Sequence, residues 1–252
     1  MLLEGKNAVI YGGGGRIGRG VASTFAREGA TVFLAGRTLA SLQSVAQDIN
    51  GEQEQRAYVA QVDALDERQV HDHLKAVAAQ VGGIDISINL TSRGDVQGTR
   101  LLDMNVEDFL QPTQAGLRSN YVTARAAARH MVERGRGVIL TITSGSGEAW
   151  TPPEVWPMGG TGPADAATES FIRYLAAEVG PRGVRVNCLW TAGVVHENDP
   201  LNEAKDMLVQ MSMLRKRPTL QEFADTAAFV ASDRGSGITA SIINVNSGIS
   251  AR

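Results

Sequence analysis

Four consecutive glycines, Gly12 to Gly15, stand between an apolar run and a segment with helical spacing. The run Ala8-Val9-Ile10-Tyr11 reads as a buried strand. Ile17, Val21, Ala22, Phe25 and Ala26 then fall on one face of a helix that starts near Arg16. Strand, glycine turn and helix start form the context in which such a cluster holds a pyrophosphate. Without Cβ atoms the turn tightens, and phosphate oxygens reach the free N–H groups at the helix N-terminus. A plain glycine turn is the competing reading, and the context favours the nucleotide. A second strand, Thr31 to Ala35, ends at Gly36-Arg37-Thr38. At this place in a dinucleotide fold an acidic side chain holds the ribose 2′-hydroxyl, whereas an arginine accommodates a 2′-phosphate. Gly36 leaves the acidic place empty, Arg37 follows it, and Arg16 adds a second positive charge. Together they predict NADPH rather than NADH, against the alternative that both arginines are merely solvated.

The rest of the chain supplies elements to position these residues. A third strand, Arg56 to Val62, ends at Asp63-Ala64, and Ile84 to Asn89 forms a fourth after a helix over Glu67 to Val81. Ligands of open α/β sheets sit beyond the carboxyl ends of strands, so Asp63 and Asn89 are placed for contact, or else are turn formers. A long helical region follows from Val106 to Arg134, with a break expected near Pro112. Val138 to Thr143 is a fifth strand, a helix runs from about Ala164 to Val179, and Val184 to Trp190 is a sixth strand. A short helix carrying Met207, Leu208, Met211 and Leu214, a helix from Gln221 to Ser232, and a strand from Ser241 to Val245 complete the pattern. Alternation of strands and helices implies one α/β domain, a doubly wound parallel sheet with helices on both faces.

Composition narrows the function. A formal charge of −3 gives no support to nucleic-acid or anionic-membrane binding, and no apolar run reaches membrane-spanning length. The single cysteine, Cys188, reads as a small core residue. With no signal peptide evident at the N-terminus, a reducing, cytoplasmic location is expected. The four histidines are scattered, so no metal site is expected.

The ordered motifs resemble the short-chain dehydrogenase/reductase family over nearly the whole chain. The similarity is carried by YGGGGRIG, VDALD around Asp63, IDISINLTS, RSNYV around Asn120, GVILTITSGSG around Ser144, AAEVGPRGVRVNCLWTAGV, and ITASIINVNSG. It implies a Rossmann-type fold, a small-molecule substrate, and a homodimer or homotetramer packed through the helices near 106–134 and 164–179. The alanines there (Ala124, Ala127, Ala128, Ala164, Ala167) suit close helix contact between subunits or helix–sheet contact. The resemblance places cofactor contacts at Gly12, Gly15, Arg16, Ile17, Gly18, Arg37, Asp63, Ala64, Asn89 and Gly193. It puts the substrate pocket in loops 89–98, 144–162 and 191–215.

The departures bear on chemistry. The family's middle glycine falls at Arg16, with Gly15 expected to take over its turn role. The family's Tyr-x-x-x-Lys falls on Thr161 and Asp165. No shift of register restores it, because the sequence has no tyrosine between Tyr121 and Tyr174 and no lysine between Lys75 and Lys205. A tyrosine beside an ammonium exchanges a proton with the substrate oxygen as hydride moves, and a threonine is far too weak an acid for that role. Ser144 matches the family's substrate-binding serine and Asn120 its structural asparagine. Ser144 either hydrogen-bonds a substrate oxygen or simply caps a turn. Candidate proton donors are Asp165 if its pKa is raised, His196, or a water held by Ser144, with Glu148 and Glu197 weaker ones; Tyr121 reads as core. The expected function is an NADPH-dependent reductase with atypical proton delivery. The alternatives are a catalytically silent dinucleotide-binding partner protein, or a lyase, isomerase or cyclase reusing the pocket.

Overall fold

The computed structural model describes residues 1–52, 56–144, 156–195 and 203–249. The strands are β1 (Asn7–Tyr11), β2 (Thr31–Gly36), β3 (Ala57–Gln61), β4 (Ile86–Asn89), β5 (Gly137–Thr143), β6 (Val184–Trp190) and β7 (Ile242–Asn244). Interleaved with them are α1 (Arg16–Arg27), α2 (Leu39–Glu52), α3 (Glu67–Val81), α4 (Val106–Arg134), α5 (Thr161–Val179), α6 (Glu203–Met211) and α7 (Leu220–Ala231). The seven strands form one sheet in the order β3-β2-β1-β4-β5-β6-β7. Every pairing is parallel, with Val9 opposite Phe33 of β2 on one side and Ser87 of β4 on the other.

Both faces are covered, which is why the strands are apolar runs rather than alternating ones. Ala8 and Ile10 pack into a core with Val21 and Phe25 of α1, Leu42 and Val45 of α2, and Phe223 and Ala224 of α7. Val9 and Tyr11, pointing the other way, pack with Val70 and Leu74 of α3, Val122 of α4 and Ile172 of α5. Side-chain caps fix several helix starts. Asp66 accepts from Arg68 N at 2.9 Å and Gln69 N at 3.1 Å, and Thr219 with Glu222 forms a reciprocal capping box. Among the described residues no helix is long and apolar enough to cross a membrane.

Several sequence expectations are corrected. The helix α4 runs unbroken through Pro112, whose ring is buried against the start of α5; a Cβ on Gly160 would lie 3.1 Å from its Cγ. Burial against α5 offsets the one lost backbone bond. Helix α5 begins at Thr161 rather than Ala164, so Thr161 and Asp165 stand one turn apart on its first turns. The helix α6 ends at Met211, which leaves Leu214 outside it and exposed. Tyr121 is not core: it is 46% exposed, its ring edge-on to Phe171 and its face beneath the Arg125 guanidinium. Ala124, Ala127, Ala128 and Ala164 are buried within the chain, so these four serve close packing inside it. Cys188 is fully buried, and burial pushes its thiol up to about 12.

Candidate functional site

The strand order turns in opposite directions from β1 and β4, and a cleft opens beyond their carboxyl ends, as it does in open α/β sheets. It encloses about 670 Å3, and its walls include Gly12, Gly14, Gly15, Arg16, Ile17, Gly18, Arg37, Asp63 and Ala64. Gly12 has φ +77, and a Cβ there would lie 2.6 Å from the Leu90 carbonyl oxygen. A Cβ on Gly18 would overlap the Gly12 carbonyl. The tight turn therefore rests on Gly12 and Gly18. Gly15, expected to carry it, is the extended N-cap of α1 with φ −78 and ψ 171, a conformation open to any residue. That N-terminus has no side-chain cap and no acidic residue in its first turn, so its N–H groups face the cleft unanswered by carboxylates.

Arg16 and Arg37 are exposed on the cleft walls. Gly36 lies beside them, and a Cβ there would meet only Leu42, at 3.6 Å, so packing does not demand a glycine. Asp63 turns one carboxylate oxygen to Leu65 N at 3.0 Å. These residues fit a dinucleotide: a tight turn that excludes a Cβ at Gly12 and Gly18, helix N–H groups without a side-chain cap, and two exposed cations on the walls. Asn89 and Gly193 do not line the cleft. Asn89 is buried and donates to Ser119 Oγ at 3.1 Å and Asn120 Oδ1 at 2.7 Å, bracing the wall from behind. Gly193, at φ +63, accepts from Arg217 Nε at 2.7 Å. Asn120 reaches on to Thr168 Oγ1 at 3.4 Å, tying α4 to α5.

The cleft is also lined by Arg93, which lies in the expected pocket loop 89–98 after β4 but is not among the candidate site residues. The residue is 9% exposed. Nη1 pairs with Asp165 Oδ1, Nε and Nη2 hold Asp95 Oδ2 and Oδ1 at 3.2 and 2.9 Å, and Nη2 also donates to Ser144 Oγ at 3.3 Å. Burial works against this charge, yet Asp165 and Asp95 outweigh it and hold the guanidinium above its ordinary pKa. Asp165 is fully buried, and its other oxygen accepts from Ser144 N at 3.2 Å. Thr161 is also fully buried: Gln97 Nε2 donates to its Oγ1 at 3.2 Å, and Gln97 Oε1 accepts from Trp156 Nε1 at 3.0 Å. Gly98 N donates to Pro157 O at 2.8 Å, so the segment 93–98 is stitched to 156–161 across the start of α5.

The structure thus brings Ser144 and Asp165 together around Arg93, and seals Thr161 under Gln97. His196, Glu148 and Glu197 lie outside the described residues. The missed signal was a pair of opposite charges: an arginine following the strand-end segment INLTS, and a carboxylate on the helix where the resemblance expected a cation. Chemically, the cluster offers fixed hydrogen-bond donors. Arginine and serine do not release protons near neutral pH.

The family model described as Enoyl-(Acyl carrier protein) reductase matches residues 15–250. The 3-oxoacyl-[acyl-carrier-protein] reductase FabG of Chlamydia muridarum is 29% identical over 252 residues, covering 98% of each chain. The 7alpha-hydroxysteroid dehydrogenase of Escherichia coli is 27% identical over 253 residues, covering 98% of this chain and 95% of the relative. Among solved structures, a short-chain type dehydrogenase/reductase from Mycobacterium marinum superposes with a TM-score of 0.89 at 30% identity, covering 99% of this chain and 97% of that one. The chain belongs to the short-chain dehydrogenase/reductase family, and these relatives are oxidoreductases that use nicotinamide dinucleotides.

Proposed function

We propose that this protein is an NADPH-dependent reductase of a small molecule whose reducible bond is conjugated to a carbonyl, with proton delivery that bypasses a tyrosine. One observation carries the reading. The cleft walled by the glycine cradle is also lined by Arg93, and Arg93 donates to the Ser144 hydroxyl. This supports one continuous site for the dinucleotide and for the oxygen-binding donors.

Gly12, Gly15, Ile17, Gly18, Asp63 and Ala64 would hold the dinucleotide, with Arg16 and Arg37 at its 2′-phosphate. A reduced dinucleotide bound there supplies hydride. Ser144, held between Arg93 and Asp165, donates to the acceptor's carbonyl oxygen. Hydride addition to a conjugated carbon moves the π electrons onto that oxygen as an enolate, which hydrogen bonds stabilise and solvent protonates afterwards. A simple ketone would give an alkoxide, a far stronger base, and would need a proton donor in place. The Asp165 carboxylate, compensated by Arg93 and shut off from solvent, is assigned a structural part in this scheme.

The test is NADPH oxidation with 2-cyclohexen-1-one, cyclohexanone and the cyclic imine 2-methyl-1-pyrroline. The reading expects the conjugated ketone to be turned over and cyclohexanone to lag at least about tenfold. Cyclohexanone reduced as fast would refute atypical proton delivery. The sealing of Thr161 and Asp165 favours one second reading, a dinucleotide-binding partner protein without turnover, and NADPH binding with all three acceptors inert is its signature. We also assign a homodimer or homotetramer, because Tyr121 and Tyr174 stand 46% and 78% exposed on α4 and α5. A reducing, cytoplasmic compartment suits the buried lone thiol.

A further inference from the structure

We infer that Arg93 is the positioning residue of this site: it fixes the Ser144 hydroxyl as a hydrogen-bond donor, and Asp165 holds Arg93 in place to do so. The inference rests on the reductase reading above and names the part of the machinery that neither the glycine loop nor the helix α5 supplies.

Three residues close a ring. Asp165 uses one carboxylate oxygen on the Arg93 guanidinium and the other on Ser144 N, at 3.2 Å. Arg93 Nη2 completes the circuit at Ser144 Oγ, 3.3 Å away. Ser144 is thereby held at both its backbone and its hydroxyl. Because Oγ accepts from a guanidinium that has no acceptor of its own, the serine hydrogen must turn elsewhere. A free serine hydroxyl rotates among several orientations; this one is committed to donating away from Arg93. The accepted bond also comes from a cation, which polarises the O–H and strengthens its donation.

Two further features show that the guanidinium is placed rather than tolerated. Asp95 grips Nε and Nη2 from a second side, so the plane of the fork is fixed. On the third side Gly116 of α4 gives way: a Cβ there would overlap Arg93 Cδ. Of the five guanidinium hydrogens, four have partners among these bonds, and one on Nη1 remains. The arginine enters from the loop after β4, and its charge occupies the neighbourhood of the α5 position at which a carboxylate replaces the expected cation. The cation of this site thus comes from the loop after β4, and the carboxylate from α5.

The experiment compares Arg93→Lys with the double variant Arg93→Met/Asp165→Asn, which removes both charges so that no buried carboxylate is orphaned. Gly116→Ala is added because it displaces Arg93 without changing its charge. NADPH affinity is measured by calorimetry, and kcat and KM with NADPH and 2-cyclohexen-1-one. The double variant should lose roughly 100-fold in kcat, the scale of a misplaced oxyanion donor, with KM and the NADPH Kd changed less than about threefold. Lysine, which keeps a charged donor, should recover to within about tenfold of the wild type, and Gly116→Ala should fall with the double variant. Equal losses in the lysine and double variants, or losses in KM and NADPH affinity together, would overturn the inference in favour of a merely structural arginine. So would a wild type that binds NADPH but leaves the enone untouched. Failure of the wild type to bind NADPH would instead bring down the dinucleotide reading itself.

Discussion

Replacing Arg93 alone by methionine should expose how the buried pair is balanced. Asp165 is fully buried and Arg93 is 9% exposed, so the substitution leaves a carboxylate without its cation in a place water does not reach. Breaking such a pair costs about 3–5 kcal/mol. In a chain of this length each kcal/mol lowers the melting temperature by about 2–4 °C, which gives a fall of roughly 6–20 °C near neutral pH. The cost has a pH signature. A buried carboxylate that has lost its paired cation relaxes by taking up a proton, so in the variant its folded pKa rises above the unfolded value of about 3.9. The folded variant then binds a proton that the unfolded chain has released, and its stability falls as pH climbs from about 4 towards neutrality. Calorimetric melting from pH 4.5 to 8 should show the deficit against wild type small in acid and growing with pH. In Arg93→Met/Asp165→Asn that growth should vanish. A deficit independent of pH, or below about 1 kcal/mol throughout, would refute the assignment of Asp165 as a carboxylate compensated by Arg93.

Other consequences are more local. Gly12→Ala forces a side chain into a left-handed backbone, at about 1–2 kcal/mol, and drives its Cβ onto the Leu90 carbonyl; NADPH affinity should drop at least tenfold, as titration would show. His73 is held neutral by burial, its pKa lowered to about 4, and its Nδ1 has no hydrogen-bond partner among the described residues beside the edge-on Tyr11 ring. Its folded pKa lies below the unfolded value, so the unfolded chain gains the proton first, and stability is lost as pH falls from about 6.5 to about 4, by at most about 3 kcal/mol. Melting curves of His73→Phe should lack that component of acid sensitivity.

The fold was legible because its signals were local and repeated. Apolar runs of strand length alternated with amphipathic helices, and the glycine run fell between β1 and α1, where the cleft opens. Six of the ten expected cofactor residues come from that turn and the end of β2, where chemistry and backbone coincide in sequence. The end of α4 was equally plain, but its middle was not: a proline argues for a break, and only the packing of α5 on Pro112 restores continuity. Tyr121 misled for a related reason. Its spacing placed it beside the buried Asn120 and Val122, and nothing local told that its side of α4 is left uncovered by the chain. The catalytic end was least legible. Thr161 and Asp165 could be seen to depart from the family's pair, but the partner that makes sense of Asp165 lies 72 residues earlier. A buried ion pair between α5 and a loop leaves no periodicity to read. Its trace was an unexplained carboxylate, and searching the strand-end loops for one compensating arginine would have found Arg93.

Calorimetric titration of NADPH and NADH into the wild-type protein and into Gly36→Asp tests the central claim most directly. A Cβ at position 36 meets only Leu42 at ordinary contact distance, so the aspartate should fold in without strain. Its carboxylate would face the ribose 2′ position beside Arg37, where like charges a few ångströms apart repel by about 1–4 kcal/mol, a factor of roughly 5 to several hundred in affinity. The account predicts that the wild type binds NADPH more tightly than NADH, and that Gly36→Asp weakens NADPH by that factor while NADH holds or improves. Equal affinities in the wild type, or NADPH binding indifferent to the aspartate, would contradict it.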